Sequence, residues 1–370
     1  MEIHGTYNTA MVFNDNLDRE SEDQIREFCE QEIFRDTRIR IMPDVHAGKG
    51  CVIGYTAELG EKVVPNLIGL DIGCGILVTG LGKTGIDYEK LDRYIRQHIP
   101  HGFQRNKSAE PEDHPGEFLE NLKATCDFLG IDFMDHLKGI GSLGGGNHFI
   151  EIAVDTGGRK WLLVHSGSRN FGLQVASRHQ ERAVLECRER EAEVPKHFAW
   201  LEGASRELYI RDMKVAQEYA GLNRREISRR ILHHLGIGAP GDQFESIHNY
   251  INFEDRIIRK GAVSAHSGER IVIPLNMRDG SLVARGLGNP EWNFSAPHGA
   301  GRRLSRNQAR KQLDMGDFRK SMKNVWTSSI SKKTLDEAPQ AYKPKRELLR
   351  YLPESVEVQA TKCPRTFSLP

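Results

Sequence analysis

The chain has 370 residues, with 52 lysine and arginine residues against 51 aspartate and glutamate residues. It therefore lacks the overall basic excess that would indicate nucleic-acid binding, although the composition does not exclude a local basic groove. Hydrophobic residues make up 38% and charged residues 28%, which supplies a core and excludes a disordered composition. The sequence has no apolar run of about 18 residues, no N-terminal secretory pattern and no C-x-x-C, so we expect a soluble cytoplasmic protein without a membrane span, zinc ribbon or disulfide framework.

Helices are predicted from capping signals and apolar spacing. The capping-box pattern Ser21–Gln24 predicts a helix start, and the apolar spacing from Phe118 to Leu129 predicts another helix. Longer charged helices are expected at 173–193 and 204–235. A second capping box, Ser305–Gln308, predicts a helix that runs toward Asn324.

Short apolar runs predict strands, at Val63–Val64, Ile76–Thr79, Trp161–Val164, Ile271–Ile273 and Val356–Val358. Because these runs do not alternate regularly with the helices, a mixed α+β architecture is favoured over a doubly wound parallel sheet. No internal repeat or linker divides the chain, so residues 1–370 are predicted to form one domain.

Six glycine-rich segments each carry a ligand-type or basic side chain, and most follow an apolar run. Glycine lets the backbone approach a ligand closely and turn its N–H groups toward an anion. The segments are Met42–Gly50, Gly69–Gly75, Gly141–Glu151, His165–Arg169, His248–Tyr250 and Pro297–Arg302.

Asp71 and Cys74 stand three residues apart in a glycine turn and can reach one metal ion. For this pair alone, an N-capping aspartate and an inert buried cysteine are the favoured explanation. His148, His165 and His248 lie in similar polar, glycine-rich settings, which strengthens the metal hypothesis without excluding structural histidines. One thiolate, one carboxylate and three imidazoles exceed what one structural zinc needs, so two metals sharing the sulfur are a natural solution. This ligand set suits zinc, and the affinity order of divalent ions disfavours manganese.

His298 lies between Pro297 and a glycine-containing run that ends at Arg302. An imidazole nitrogen next to a phosphate can attack phosphorus and form a phosphoramidate. The alternative is an ordinary loop histidine. Arg169, Lys260 and Arg302 are candidate phosphate contacts, although for each of them taken alone a solvated surface charge is the favoured explanation.

Taken together in their order, these six segments resemble the RtcB family of RNA-splicing ligases, from Met42 to about Lys343. The resemblance implies a single α+β domain of the RtcB type with a glycine-rich dimetal cleft. It also implies GTP- and manganese-dependent joining of an RNA 3′-phosphate or 2′,3′-cyclic phosphate end to a 5′-hydroxyl end, in tRNA splicing or RNA repair. Two Mn²⁺ ions and GTP would be the cofactors, and GMP would be linked covalently to the protein as an intermediate.

The resemblance also assigns roles to residues. Asp71, Cys74 and His148 would hold one metal, and Cys74, His165 and His248 the other. His298 would be the guanylylated nucleophile, and Arg169, Lys260 and Arg302 would lie near RNA phosphates. Asp44 and His46 match a further motif and receive no role. The segments expected around the guanine nucleotide comprise Asn147, His148, Phe149, Ile150, Glu151, His248, Asn249, Pro274, Leu275, Asn276, Met277, Ser281, His298, Gly299, Ala300 and Gly301.

One departure from the family pattern concerns the tail, where relatives carry a lysine that contacts the nucleotide. Here Ser368 or a neighbour stands at that position, which predicts weaker use of GTP.

Two other functions stay open: a dimetal phosphoesterase that acts on RNA phosphate ends without ligation, and an RNA-binding partner protein without catalysis. The sequence does not identify the physiological RNA, a helper protein or the oligomeric state.

Overall fold

The computed structural model describes residues 1–239 and 241–368, without the side chains of Arg365, Phe367 and Ser368. Its helices are α1 (Arg19–Cys29), α2 (Tyr88–His98), α3 (Gly116–Leu129), α4 (Phe133–Leu137), α5 (Arg169–Glu189), α6 (Gly203–His234), α7 (Arg306–Gln312), α8 (Met315–Ser321) and α9 (Lys345–Leu349). Its strands are β1 (Glu2–His4), β2 (Thr9–Val12), β3 (Arg40–His46), β4 (Ile53–Glu58), β5 (Gly75–Gly82), β6 (Phe149–Val154), β7 (Lys160–Ser166), β8 (Gln243–Ile247), β9 (Asn249–Asn252), β10 (Ile257–Lys260), β11 (Ala262–Ser264), β12 (Arg270–Asn276), β13 (Gly280–Gly286), β14 (Ser295–Pro297) and β15 (Val356–Ser368).

Three sheets organise the described part of the chain. A six-stranded sheet has the order β1-β2-β3-β4-β10-β9, and a seven-stranded sheet has the order β12-β13-β15-β6-β7-β5-β8. Strands β11 and β14 form a two-stranded sheet. Neighbouring strands are antiparallel except β2 and β3, which are parallel. The α+β prediction is confirmed.

The seven-stranded sheet has an apolar layer on each face, and side chains alternate between them along a strand. Ile150 and Ile152 of β6 face the layer that contains Ile227 and Ile231 of α6. On the other face, Phe149 and Ala153 of β6 join Trp161 and Leu163 of β7 and Phe318 of α8. By the same alternation, Glu151 and His165 face the second side, where the cleft described below opens.

Most predicted elements are present with shifted ends. The helices expected at 118–129, 173–193 and 204–235 are α3, α5 and α6, and the Ser305 capping box is formed. The helix expected to run toward Asn324 is interrupted between α7 and α8, because Asp314 caps a new helix. Four predicted strands lie within β5, β7, β12 and β15.

Two local predictions are wrong. Asp18, not Ser21, is the N-cap of α1, because the Asp18 carboxylate accepts a hydrogen bond from the Ser21 backbone N–H at 2.9 Å. Val63–Val64 is not a strand, since Val63 makes only an isolated bridge with Leu201. No helix among the described residues combines the length and apolar character needed to cross a membrane.

Candidate active site

Four adjacent strands bring the five predicted metal ligands to one edge of the seven-stranded sheet. Asp71 and Cys74 lie in the turn that leads into β5, His148 directly precedes β6, and His165 lies in β7. His248 connects β8 to β9. The register pairs His165 with Phe149 on one side and with Ile76 on the other. The antiparallel pairing therefore brings together residues that are far apart in the sequence.

The donor atoms of these residues lie close together. The Cys74 Sγ is 3.4 Å from the Nε2 of His148 and 3.3 Å from the Nε2 of His165. The Asp71 Oδ2 lies 2.8 Å from the His148 Nε2, and the Nε2 atoms of His165 and His248 are 3.3 Å apart. Cys74 thus lies between an Asp71–His148 side and a His165–His248 side.

Backbone carbonyls fix two of the imidazoles in a ligand orientation. His148 donates from Nδ1 to the Leu143 carbonyl at 2.9 Å, and His165 donates from Nδ1 to the Asn147 carbonyl at 3.0 Å. A proton on Nδ1 leaves the Nε2 lone pair free to bind a metal. Ligand atoms of Cys74, His148 and His165 all lie within 4.8 Å of one another. The donor set therefore fits a divalent metal.

Burial changes the protonation of the same residues. It lowers the pKa of His165 and of His248 well below the usual value, which favours the neutral imidazole that binds metals. Burial, together with the nearby Asp71 carboxylate, raises the pKa of the Cys74 thiol well above its usual value. A divalent cation would supply the positive charge that a buried Cys74 thiolate needs.

His298 follows β14 on the other side of the cluster, with its ring centroid 5.0 Å from that of His248. The buried Asp44 Oδ2 accepts hydrogen bonds from the backbone N–H groups of His298 and Gly299, each at 3.1 Å. The same oxygen lies 2.6 Å from the His298 Nδ1. That contact has the distance of an ion pair but lacks hydrogen-bond alignment, because the Nδ1 has no aligned partner among the described residues.

A cleft of about 670 Å³ contains His298 and most of the predicted nucleotide and metal residues. Three predicted nucleotide residues are not part of its lining. His148 is buried behind the cluster, Ile150 packs in the core on the opposite face of β6, and Ser281 is buried in β13. The predicted residues that line the cleft are Asp71, Cys74, Asn147, Phe149, Glu151, His165, His248, Asn249, Pro274, Leu275, Asn276, Met277, His298, Gly299, Ala300, Gly301 and Arg302.

Glu151 is an unusual member of this lining. Its side chain is buried, and its Oε1 has no hydrogen-bond partner among the described residues. Burial raises the pKa of the Glu151 carboxyl to about 8. The cleft therefore contains a carboxyl group that is largely neutral near pH 7.

The three predicted phosphate contacts are engaged by internal partners. The Lys260 ammonium is buried and donates to the carbonyls of Lys49, Cys51 and Asn66 at 3.1–3.3 Å, so its three protons are already used. The structure does not bring Lys260 into the cleft lining.

Arg169 and Arg302 are similarly held. Arg169 donates to the Ser142 hydroxyl at 3.1 Å and to the Gly102 carbonyl at 2.6 Å. Arg302 lines the cleft but donates from Nε to the Leu304 carbonyl at 3.1 Å and pairs with Glu337 at 3.3 Å. Both guanidinium groups are therefore oriented by the protein before any ligand binds.

Sequence reasoning missed several residues of this cleft. His46 lines the cleft, and Asp44 contacts His298 without being part of the lining. Both stand in the glycine-rich segment Met42–Gly50, so that motif signalled them without giving a role. Burial lowers the pKa of His46 to about 4. Other missed lining residues come from segments without a glycine-rich signal, among them Arg303, Arg306, Glu337 and Tyr342. The predicted tail contact at Ser368 lies outside the described side chains.

Comparison with known proteins gives the family. The family described as tRNA-splicing ligase RtcB matches residues 28–129 and 132–362 of the chain. The RNA-splicing ligase RtcB of Escherichia coli (strain K12) is 31% identical over 341 residues, covering 82% of this chain and 83% of its own length. The RNA-splicing ligase RtcB of Mycobacterium bovis is 29% identical, covering 83% of this chain and 90% of its own length. The tRNA-splicing ligase RtcB of Aeropyrum pernix is 25% identical over 82% of this chain and 81% of its own length. The chain belongs to the RtcB family of RNA-splicing ligases.

Proposed function

We propose that the protein joins RNA 3′-phosphate or 2′,3′-cyclic phosphate ends to 5′-hydroxyl ends, using GTP and two Mn²⁺ ions, in tRNA splicing or RNA repair. The observation that carries the proposal is the position of His298, whose ring centroid lies 5.0 Å from that of the predicted metal ligand His248 in one cleft. Family membership supports the RNA substrate and the ligase class. In this proposal the protein works in the cytoplasm, and residues 1–370 act as one domain.

The metal ligands have a defined place in the proposed reaction. Asp71, Cys74 and His148 would hold one ion, and Cys74, His165 and His248 the other. When bound, the ions would neutralise negative charge on the phosphates. The affinity order of divalent ions disfavours manganese at such a site. The bound metal would therefore depend on which ion is available as well as on the ligand types.

His298 would carry the covalent step. Its Nε2 attacks the α-phosphorus of GTP, a P–N bond forms, and the bond from the α-phosphorus to the bridging oxygen breaks as pyrophosphate leaves. Asp44, 2.6 Å from the Nδ1, would orient the ring and balance the charge on the imidazole. The RNA 3′-phosphate then displaces His298 to form an RNA-3′-pp-5′-G end. The 5′-hydroxyl attacks the RNA-side phosphorus, and GMP leaves.

Labelled GTP tests this proposal directly. Wild-type protein with Mn²⁺ should retain label from α-phosphate GTP, through a bond that is labile in acid and stable in alkali. His298→Ala should lose both the label and RNA joining while still binding metal. His4→Ala changes an exposed histidine outside the cleft lining and should behave as wild type. If His298→Ala accepts GMP at the wild-type rate, the proposed nucleophile is wrong.

The phosphoesterase alternative predicts a different pattern. In that case the wild-type protein removes phosphate from RNA ends, acquires no label from GTP and joins no strands. A product gel with end-labelled RNA separates the two functions, because ligation lengthens the strand and hydrolysis does not.

A further inference from the structure

Phe103 is an exposed aromatic residue close to the cleft. Its relative exposure of 105% makes it the most exposed of the large hydrophobic residues that the structure describes, where Leu185 follows at 57%. A fully exposed phenylalanine ring loses the free energy that burial would provide, about 1.5–3 kcal/mol for a large apolar side chain. The ring is therefore free to contact another molecule, and burial there would recover this free energy.

The loop that carries Phe103 is fastened on both sides of the residue. The Gln104 backbone N–H donates to the His101 carbonyl at 3.0 Å, and this bond closes a turn that contains Phe103. Asn106 donates from its side chain to the carbonyls of Lys138 and Ile140 at 2.8 and 2.6 Å, and Arg105 pairs with Asp135. The ring is thus presented by an anchored turn, so a ligand would find it already positioned.

The same loop adjoins the glycine strip 144–146, which leads in sequence to Asn147 of the cleft lining and to the predicted metal ligand His148. The Gly102 N–H donates to the Gly144 carbonyl at 2.8 Å, and the Arg169 guanidinium bonds the Gly102 carbonyl at 2.6 Å. On the other flank, the Arg306 guanidinium nitrogens are 3.2 Å from where a Cβ on Gly146 would stand. The glycine strip is therefore in contact with the loop that carries Phe103 at Gly144 and with Arg306 at Gly146.

We infer that Phe103 stacks on an unpaired base of the RNA strand that enters the cleft, while Arg303 and Arg306 contact its phosphates. An aromatic platform combined with basic side chains is how proteins hold single-stranded nucleic acid. Arg303 and Arg306 are exposed and line the cleft. The inference rests on the proposed RNA substrate and adds a residue that holds the strand outside the reacting atoms.

The surroundings of Phe103 favour RNA over a protein partner. Its neighbours Gly102 and Gln104 contribute no large apolar surface, whereas protein interfaces bury a contiguous patch. A single protruding ring beside a guanidinium group matches the flat face of a base and its phosphate.

The test measures binding of a fluorescently labelled single-stranded RNA with a 3′-phosphate, at fixed salt and without GTP. Phe103→Ala should weaken binding about fivefold or more, as expected for loss of one stacked base. Phe103→Trp should restore binding, and its added fluorescence should change when RNA binds. The matched control Leu185→Ala removes an exposed hydrophobic residue outside the cleft lining and should bind RNA as wild type does.

A second arm uses RNAs in which one nucleotide at a time lacks its base. The wild-type protein should lose affinity at one position, and Phe103→Ala should lose none there. Equal binding by wild type and Phe103→Ala, or an unchanged fluorescence signal in Phe103→Trp, would overturn the inference. Failure of the proposed chemistry is recognised separately, because GMP attachment to the protein needs no RNA.

Discussion

Asp44 contacts both the backbone and the imidazole ring of His298. One carboxylate oxygen accepts two backbone N–H groups at 3.1 Å and lies 2.6 Å from the imidazole Nδ1. The other oxygen, Oδ1, is buried and has no partner among the described residues. Asp44 is therefore placed to act on the proposed nucleophile while its negative charge is held out of water.

Replacing Asp44 by asparagine tests this role. Asp44→Asn keeps the shape and one acceptor oxygen but removes the negative charge beside the imidazole. We expect GMP attachment to slow by at least about tenfold, while metal content and melting temperature stay close to wild type. The rate of labelling with α-phosphate-labelled GTP measures the effect. An unchanged rate would show that the charge of Asp44 does not assist His298.

Cys74 is the residue shared by both halves of the ligand cluster. Its Sγ lies 3.4 and 3.3 Å from the Nε2 atoms of His148 and His165. Cys74→Ala should therefore remove more bound metal than any other single ligand change, since it would weaken both ions. Metal analysis of Cys74→Ala against His248→Ala makes the comparison. Full occupancy in Cys74→Ala would contradict a bridging thiolate.

At the scale of elements, the sequence predicted those helices and strands that depend on a local residue pattern. The apolar run Trp161–Val164 and the capping box at Ser305 are read from neighbouring residues, and both elements are present. The convergence of the ligands depends instead on the order β6-β7-β5-β8, which no local pattern encodes. The sequence segments resembling the RtcB family indicated which residues converge, and the geometry adds how they do so.

Three details of the structure could not be read from the sequence pattern alone. The role of Lys260 near RNA phosphates stays a prediction, and its sequence context could not show that three backbone carbonyls surround its ammonium group. Asp18 takes the N-cap of α1 because it starts the helix one turn before the pattern at Ser21. Val63 lacks the strand partner that its apolar character suggested.

The turn after β14 depends on Gly301, whose φ of +73° suits glycine. A Cβ at this position would stand 2.5 Å from the Asp44 carbonyl oxygen. Gly301→Ala should therefore destabilise the protein by on the order of 2 kcal/mol or more and slow GMP attachment, because Asp44 has to shift. Chemical unfolding and GTP labelling measure the two effects.

Gly130 provides the matched control. Its φ is +69°, and a Cβ there would meet nothing within 4 Å. Gly130→Ala introduces the same backbone strain without the clash. It should lower the free energy of unfolding by about 1 kcal/mol and leave GMP attachment unchanged. Equal losses in the two variants would mean that the contact with Asp44 has no effect of its own.

Across the whole molecule, the cleft draws one component from each sheet. The six-stranded sheet supplies His46, the two-stranded sheet leads into His298, and the seven-stranded sheet presents the metal ligands. The site therefore forms only when all three sheets are assembled. This dependence supports the proposal that the chain works as one domain, and it links the protonation of cleft residues to global stability.

Glu151 makes that link measurable. Burial raises the pKa of its carboxyl from 4.5 to about 8, so the folded protein holds a proton that the unfolded chain releases above pH 4.5. The stabilising effect of this proton is complete below pH 4.5 and is lost as the pH rises toward 8, because the unfolded state binds fewer protons over that window. Glu151→Gln cannot ionise, and so the metal- and nucleotide-free variant should lack this loss.

We therefore expect the unfolding free energy of the wild type, relative to Glu151→Gln, to fall by on the order of 3 kcal/mol between pH 5 and pH 8. Urea unfolding of both proteins at the two pH values measures the difference, and the comparison cancels groups that titrate equally in both. Glu357→Gln, which changes an exposed glutamate in β15, serves as the control and should follow the wild type. Parallel pH profiles for wild type and Glu151→Gln would show that the Glu151 carboxyl ionises normally and that the cleft admits enough water to solvate it.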